Sequence, residues 1–277
     1  MEEKENQNKT ASERAGETIQ TQNQAQNQVQ NQAQIKDKIL LSQEEAAEYH
    51  AFKRQKRVEE AKAALQKSEG EFYGERHEFS YAAFKKLCES AKKIGSCAVR
   101  VPSGFLPYAR ALLGESGVQI DCLVGGYGET ATKVKAYECK YAFRQGAREI
   151  SLVLSPSKIK EERWGEIKKE IKKIAKKCKK ALLKVCVGAE VSYSQAVKIS
   201  AMIAESGGKF LSLPFFSGVE SLKRDIGDRV MLEVSKVQTV ADYKTLLVAG
   251  VERIATDEGE EIASMLLKEA EKTPLIG

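Results

Sequence analysis

The chain has 277 residues, a length typical of one or two domains, and an ordinary apolar fraction of 42%. Its formal charge of +6 is modest for this length, so composition argues against a nucleic-acid partner. The first forty residues hold no apolar segment of the signal-peptide type, and no apolar run is long enough to span a bilayer. We therefore expect a cytoplasmic protein that has no membrane partner.

The cysteines and histidines show no metal-ligand pattern. Six cysteines are scattered without a CxxC pair, and most lie in apolar strand or helix patterns. This distribution predicts free, buried thiols in a reducing compartment. The two histidines, His50 and His77, lie outside the predicted strands. We expect neither a metal nor a cofactor.

Composition divides the chain into a tail (residues 1–38), a helical arm (39–70) and a barrel domain (71–277). The tail contains QNQAQNQVQNQAQ and offers almost nothing to bury, so we expect it to be disordered, with self-association as an alternative role. Ser42-Gln43-Glu44-Glu45 is a capping box and predicts a helix that runs to about Lys67. The 42–67 helix is a candidate docking element for a protein partner. A solvated charged face is the simpler interpretation.

Short apolar runs alternate regularly with helical patterns from Cys97 onwards. This alternation predicts an α/β fold of parallel strands, closed as a (β/α)8 TIM barrel. Seven units are visible, and the weak stretch Glu71–Gly74 is the candidate for a degenerate first strand. One long outer helix with a solvated charged face is expected over Lys158–Lys180, and a basic interaction surface is the alternative interpretation of its lysines. The seven strands are predicted at Cys97–Val101, Gln119–Val124, Glu149–Leu154, Leu182–Val187, Phe210–Leu213, Val230–Val234 and Arg253–Ala255.

Several ordered segments carry a family resemblance. They are FKKLCESAKKIGSCAVRVP, VQIDCLVGGYGETATKVKAYECKYAFRQGAREISLVLS, LLKVCVGAE, GGKFLSLPFFSG and VMLEVSKVQTVADYKTLLVAGVERIATDEG. Together they resemble the deoxyribose-phosphate aldolase family, class I aldolases built on a TIM barrel, over about Phe79 to Glu269. The resemblance implies a lyase that acts on a carbonyl compound through a Schiff base.

The residues at the family's catalytic positions differ. The resemblance places Ser212 where the family has its Schiff-base lysine, and serine has no amine to form an imine. The second lysine, which lowers the pKa of the first, falls on Leu232, or on Glu233 if the gap is placed differently. The proton-shuttling aspartate falls on Ser151. The family's aspartate–histidine–threonine segment on the first strand is also absent, since Glu71–His77 reads EFYGERH.

Lys184 is the family lysine that remains, inside the strand LLKVCVGAE. As the catalytic candidate it would be a relocated Schiff-base or binding lysine. The alternative, which we favour, is a structural lysine paired with an acid such as Glu190 or Glu233, because buried lysines are usually paired.

The candidate ligand pocket combines residues at the predicted carboxyl ends of the strands. Asp257 and Glu258 stand where the family has a glycine-rich phosphate turn, and two carboxylates there would repel a phosphate. A phosphorylated sugar is therefore not the expected ligand, and a small carbonyl compound is. The pocket candidates are Gly125, Tyr127, Cys186, Glu233, Ser235, Lys236, Asp257 and Glu258.

Three functions remain open from the sequence. The first is a catalytically degenerate family member, a pseudoenzyme whose barrel has a binding or scaffold role. The second is an aldolase or lyase of altered chemistry that uses Lys184. The third is ordinary 2-deoxyribose-5-phosphate aldolase activity, with the key strands aligned differently. A homo-oligomer is compatible with all three, and we favour the first because several parts of one site change together.

Overall fold

A computed structural model of the chain describes residues 43–72, 80–178 and 180–272. The predicted tail 1–38, the N-cap Ser42, His77 and the second half of the predicted strand Glu71–Gly74 lie outside these residues. Residues 57–274 belong to one compact unit. Of the other unit, the structure describes residues 43–56, which are helical.

The helices and strands alternate along the described residues. In chain order they are α1 (Gln43–Leu65), β1 (Ser68–Glu71), α2 (Tyr81–Ile94), β2 (Ala98–Pro102), α3 (Leu106–Leu113), β3 (Gln119–Val124), α4 (Thr132–Arg144), β4 (Glu149–Val153), α5 (Pro156–Lys160), α6 (Trp164–Lys177), β5 (Leu182–Cys186), α7 (Tyr193–Ser206), β6 (Phe210–Pro214), α8 (Val219–Ile226), β7 (Met231–Ser235), α9 (Val240–Val248), β8 (Arg253–Thr256) and α10 (Gly259–Lys272). Single 3-10 turns occupy Ser103–Phe105 and Gly227–Arg229.

The strands form a closed barrel in sequence order, and every neighbouring pair is parallel. Closure is made by β1, which pairs with β2 on one side and with β8 on the other. The predicted (β/α)8 TIM barrel is therefore confirmed. In such a barrel, alternate side chains along each strand point to the axis and to the surrounding helices.

The first strand lies three residues before its predicted position. It is Ser68–Glu71, not Glu71–Gly74, and its letters SEGE carry no apolar residue. The reason is that Glu69 and Glu71 face the charged interior of the barrel, while Gly70 faces the helix layer. A Cβ at Gly70 would lie 3.3 Å from Leu87 Cδ1 and 3.4 Å from Val99 Cγ2, so this strand has no room for an apolar side chain.

The predicted long helix over Lys158–Lys180 is two helices, α5 and α6. Ser155 caps α5 by accepting a hydrogen bond from the backbone N–H of Lys158, and Pro156 occupies the first turn. The break comes at Glu162, whose φ of 53° is in the left-handed region. The lysine-rich pattern continues on both sides of the break, which is why periodicity alone did not reveal it.

The main hydrophobic core is the layer between the barrel and the helices. The outward residues of the strands are apolar and buried there, and each contributes about 1.5–3 kcal/mol when fully buried. They include Val99, Val101, Ile120, Val124, Ile150, Leu152, Leu183, Val185, Leu211, Leu213, Leu232, Val234 and Ile254.

A buried lysine joins three segments on the outside of the barrel. Lys135 of α4 is fully buried, and its Nζ donates to the carbonyl oxygens of Gly128 (2.7 Å) and Val153 (2.8 Å) and to Glu170 Oε1 (2.6 Å). Thr132 Oγ1 donates to the other oxygen of Glu170 at 2.8 Å. These bonds hold the loop after β3, the end of β4 and helix α6 against α4.

The C-terminal part of α1 is tied to the compact unit. Arg57 Nε donates to the carbonyl oxygen of Ala270 at 3.2 Å, and Tyr243 Oη donates to that of Ala64 at 2.9 Å. Leu65 is buried in the core. Among the helices of the described residues, α1 included, none combines the length and the apolar character needed to cross a bilayer.

Candidate functional site

The interior of the barrel is lined by charged and hydroxyl side chains. Strand register brings them to the axis: Glu71 pairs with Arg100, Asp121 with Glu149, Ser151 with Lys184, and Ser212 with Glu233. All of these residues are buried. The inward polar residues are Glu69, Glu71, Arg100, Asp121, Glu149, Ser151, Lys184, Ser212, Glu233, Ser235 and Arg253.

Lys184 is at the centre of this group and has no exposed surface. Its Nζ lies 2.9 Å from carboxylate oxygens of Asp121, Glu149 and Glu233, and it also donates to Glu69. Burial by itself lowers the pKa of a lysine, but here Asp121, Glu233 and Glu69 outweigh burial and raise it well above the ordinary value. Lys184 is therefore an ammonium ion held by four carboxylates.

Two arginines complete the network. Arg100 Nε donates to Asp121 (2.9 Å) and to Ser151 Oγ (3.1 Å), and its Nη2 donates to Glu233. Arg100 also pairs with Glu69 (3.3 Å) and Glu71 (3.5 Å). These contacts carry the network from the level of Lys184 towards the carboxyl ends of the strands.

Arg253 of β8 lies on the other side of the network, where it is largely buried. Its Nη1 is 3.2 Å from Glu69 and also donates to Glu149. The guanidinium stacks over the ring of Phe210, with its carbon 5.3 Å from the ring centre. Lys184, Arg100 and Arg253 are thus the three cations that face the five interior carboxylates.

The carboxylates divide into two classes. Burial opposes ionisation of Glu233 and Asp121, but the cations Arg100 and Lys184 lower the pKa of both. Burial dominates at Glu69 and raises its pKa well above the usual range, against the opposing effect of Arg100. The pKa of Glu71 is raised by burial in the same way. Glu69 and Glu71 therefore keep a proton to higher pH than Asp121 and Glu233 do.

Two buried carboxylate oxygens in the network, Glu69 Oε1 and Asp121 Oδ1, have no hydrogen-bond donor among the described residues. When Glu69 carries a proton, its carboxyl can donate to Asp121, and such a hydrogen bond lowers the pKa of Asp121. A proton shared in this way satisfies two groups that would otherwise carry a desolvation cost.

Glu69, Asp121 and Glu149 also have the geometry of metal ligands. Each offers a carboxylate oxygen, and these oxygens lie within 4.8 Å of one another. The Lys184 Nζ contacts all three residues, so the ammonium occupies the position that a cation would take. The donor set fits a hard divalent cation only if Lys184 moves away.

Comparison with known proteins gives the family. A deoxyribose-phosphate aldolase from Carboxydothermus hydrogenoformans is 31% identical over 204 residues, which are 68% of this chain and 89% of that protein. The chain belongs to the deoxyribose-phosphate aldolase family. No family model matches the chain.

Solved structures show the same fold. The aldolase QR15 superposes with a TM-score of 0.69 at 22% identity, over 74% of this chain and 96% of that one. The tetrameric deoxyribose phosphate aldolase from Aeropyrum pernix gives a TM-score of 0.61 at 16% identity, over 80% of this chain and 98% of that one.

Three of the positions singled out by the family resemblance face the interior network, and one faces away. Ser212 Oγ donates to Glu233 Oε1 at 2.6 Å, and Ser151 Oγ donates to Asp121 Oδ2 at 2.6 Å. Glu233 lies directly beside Ser212, whereas Leu232 points into the apolar layer. Of the two alignments considered for the second lysine, only Glu233 lies on the inner face.

The pairing expected for Lys184 is present with Glu233, at 2.9 Å. Glu190, the other suggested partner, is exposed in the loop after β5 and is not among the acids that pair with Lys184. Cys186 is buried one position further along the same inner face of β5.

The loop after β3 holds two pocket candidates. Gly125 has a φ of 95°, and its N–H donates to Glu138 Oε2 at 2.9 Å. A Cβ at Gly125 would lie 2.7 Å from Lys135 Cε, so glycine is needed there for close packing. Tyr127 lies in the same loop with most of its side chain exposed. Both positions belong to the loop that Lys135 anchors.

The remaining pocket candidates lie at the ends of β7 and β8. Ser235 is buried, and Lys236 follows it with an exposed side chain and a φ of 58°. The Lys236 N–H donates to Glu71 Oε2 at 3.4 Å. Asp257 and Glu258 line a groove of about 1310 Å³ between α2 and α10, outside the barrel axis. The other six pocket candidates do not line this groove.

Sequence reasoning missed most of the charged network. Its unpredicted members are Glu69, Glu71, Arg100, Asp121, Glu149 and Arg253. A signal was present, because Arg100 in AVRVP and Asp121 in QIDCLV are charges inside short apolar strands. Lys184 in LLKVC and Glu233 in MLEVS are two further examples. Buried charges require partners, so these four strands predict a charged barrel interior.

Proposed function

We propose that this member of the deoxyribose-phosphate aldolase family is a pseudoenzyme that no longer performs Schiff-base chemistry and uses its barrel as a binding or scaffold module. The observation that carries the proposal is the state of Lys184, the lysine inside the barrel strands. It is fully buried and held by four carboxylates.

Schiff-base formation needs a neutral amine that a carbonyl carbon can reach. The carboxylates around Lys184 raise its pKa well above the ordinary value, so the neutral form is suppressed. Deprotonation would also leave Asp121 and Glu233 without one of the cations that hold them ionised. The surroundings of Lys184 thus favour the opposite of the state that catalysis requires.

The residues around Lys184 supply no replacement for the missing groups. Ser212 and Ser151 use their hydroxyl groups as donors to Glu233 and Asp121. Glu233, at the candidate position of the second lysine, is an anion and raises the pKa of Lys184 instead of lowering it. A site of this charge pattern stabilises the fold and does not activate an amine.

The second candidate function is aldolase or lyase activity on an unphosphorylated carbonyl compound. One observation favours it: Lys236 is exposed at the carboxyl end of β7, the end of a TIM barrel where active sites form. An amine at that position has solvent access that Lys184 lacks. Schiff-base chemistry at Lys236, or at Lys184 after its ion pairs break, would make the chain an active aldolase.

Reductive trapping separates the two functions. The protein is incubated with acetaldehyde, glyceraldehyde or deoxyribose 5-phosphate and reduced with borohydride, and its intact mass is measured. We expect no adduct beyond nonspecific surface labelling, while a family member that keeps its Schiff-base lysine gains one adduct. A stoichiometric adduct mapped by peptide mass spectrometry to Lys184 or Lys236 would overturn the proposal.

A scaffold role also includes candidate partners. The tetrameric Aeropyrum pernix relative supports a homo-oligomer for this chain. The exposed side chains of Tyr49 and Phe52 on α1 support a protein partner bound through the 42–67 helix. Light scattering of the full chain tests the first. A shortened chain that begins at residue 57 and keeps β1 tests the protein partner, because it lacks Tyr49 and Phe52 and should lose binding.

A further inference from the structure

The outer faces of α4 and α6 carry a concentration of positive charge. On α4, Lys133, Lys140 and Arg144 are exposed and recur with Tyr137 at three- and four-residue spacing, which places the four in one stripe. On α6, five more exposed lysines share the side opposite the buried isoleucines. These are Lys169, Lys172, Lys173, Lys176 and Lys177. We call these eight cations together with Tyr137 the basic face.

The two helices are neighbours, so the basic face is continuous. Thr132 and Lys135 of α4 both bond to Glu170 of α6. Further along, the thiols of Cys139 and Cys178 are in contact, which shows that the C-terminal half of α6 lies beside the middle of α4. The cations of both helices therefore project from the same region of the surface.

The charge of the basic face is not neutralised locally. Within the described residues, none of its eight cations forms an ion pair, whereas the adjacent Lys168 pairs with Glu205. The carboxylates nearest in sequence have other partners: Glu138 accepts from the Gly125 N–H, Glu170 pairs with Lys135, and Glu166 pairs with Arg163. Eight unpaired cations exceed the formal charge of +6 on the whole chain. The modest net charge thus hides a strongly asymmetric distribution.

Tyr137 adds a second property to this face. Its side chain is 73% exposed, and its neighbours in the stripe are Lys133 on one side and Lys140 on the other. An exposed aromatic ring between cations is the arrangement on which an unpaired base stacks while its phosphates contact the lysines. The isoleucines of α6 are buried and Val134 of α4 is a single exposed valine beside the stripe, which is too little aliphatic surface to insert into a membrane. A second copy of the same face would be repelled.

We propose that the basic face binds single-stranded nucleic acid, through its phosphates on the lysines and a base stacked on Tyr137. The expectation from composition was that nucleic acid is not a partner, and it rested on the net charge of the whole chain. The concentration of eight cations on one surface favours a nucleic-acid partner instead. This inference is independent of whether the barrel retains aldolase activity.

Fluorescence anisotropy with labelled RNA and DNA strands of the same mixed sequence, each about 20 nucleotides long, tests the proposal. The wild-type chain should bind at low salt, with RNA and DNA arms showing which sugar is preferred. Replacing Lys169, Lys172, Lys173 and Lys176 by glutamine should weaken binding at least about tenfold and reduce the slope of log K against log salt by about 3.

A matched variant controls for net charge. Lys85, Lys86, Lys268 and Lys272 are exposed on α2 and α10, and their replacement by glutamine removes the same charge elsewhere. This variant should bind like the wild-type chain. An equal loss in both variants, or no binding by the wild-type chain, would overturn the proposal.

Tyr137 distinguishes nucleic acid from other polyanions. Tyr137→Ala should weaken binding several-fold with the salt slope unchanged, and Tyr137→Phe should bind normally. Polyglutamate of matched charge and anionic lipid vesicles should bind more weakly than the strands. If they bind as well as the strands, and Tyr137→Ala has no effect, the face is an unspecific polyanion surface and the proposal fails.

Discussion

Two fully buried lysines show how differently one side chain can be used in the same protein. Lys184 lies on the barrel axis among four carboxylates, with Arg100 and Arg253 nearby. Lys135 lies outside the barrel, where it bonds to one carboxylate and two backbone carbonyls. The first compensates charge in a network, whereas the second joins segments of the chain. We therefore expect replacement of Lys184 to lower the stability of the whole barrel by an amount that depends on pH. Replacement of Lys135 should affect only the segments that it joins.

Replacement of Lys184 should have the largest effect. Lys184→Met removes the cation that contacts Glu69, Asp121, Glu149 and Glu233, and breaking a buried ion cluster from one side costs about 3–5 kcal/mol. Because Lys184 holds the pKa of Asp121 and Glu233 low, its loss should allow these carboxyls to bind protons. The penalty should therefore be smaller at about pH 5 than at about pH 8.

Urea unfolding of Lys184→Met followed by circular dichroism measures this penalty at both pH values. If the variant does not fold near neutral pH, recovery of structure at the lower pH supports the same conclusion. A loss below about 1 kcal/mol, equal at both pH values, would show that Lys184 does not compensate the carboxylates.

Replacement of Lys135 should have a smaller and more local effect. Lys135→Met removes two hydrogen bonds to carbonyls and the pairing with Glu170, and we expect a loss of about 3 kcal/mol. Glu170 retains contacts with Thr132 and Lys158, so the disturbance should stay close to α4 and α6.

The local character of this effect is measured by hydrogen exchange. The loop that contains Gly125 and Gly128 should lose protection in Lys135→Met, because the Gly128 carbonyl loses its donor. The loop should stay protected in Thr132→Val, which keeps Lys135. Uniform loss of protection throughout the barrel in Lys135→Met would contradict a local role.

The two lysines also mark what the sequence could and could not reveal. The strands with apolar outward residues were predicted well, and Gln119–Val124 matches the structure at both ends. The strand Ser68–Glu71 was misplaced because its pattern of two glutamates and a glycine is explained only by the charged interior and by Leu87 and Val99.

The candidate site was accessible in part. Lys184 stands out as a lysine in an apolar strand. The sequence predicts its pairing with an acid such as Glu190 or Glu233, and the partner of these two is Glu233. The contacts with Glu69, Asp121 and Glu149 join β1, β3 and β4 to β5, and no local pattern fixes which charges meet across a closed barrel. The lysines of α6 are visible in the sequence as a possible basic interaction surface, but only the fold shows that the cations of α4 lie beside them.

The smallest effect is expected at Glu69, which tests the proton in the network. Its pKa is raised by burial, so the folded state binds the proton more tightly than the unfolded state. Stability of the wild-type chain therefore falls as pH rises from the unfolded pKa to the raised value, by about 1.4 kcal/mol for each unit of the shift. Glu69→Gln cannot ionise, and its amide can still donate to Asp121.

The comparison of Glu69→Gln with the wild-type chain is made by urea unfolding between about pH 5 and pH 8. The difference in free energy of unfolding should move in favour of the variant as pH rises, by about 1–2 kcal/mol over this range. Glu89→Gln, an exposed carboxylate on α2, is the control and should leave the pH profile unchanged. A difference that moves in favour of the wild-type chain with rising pH would show that Glu69 is ionised.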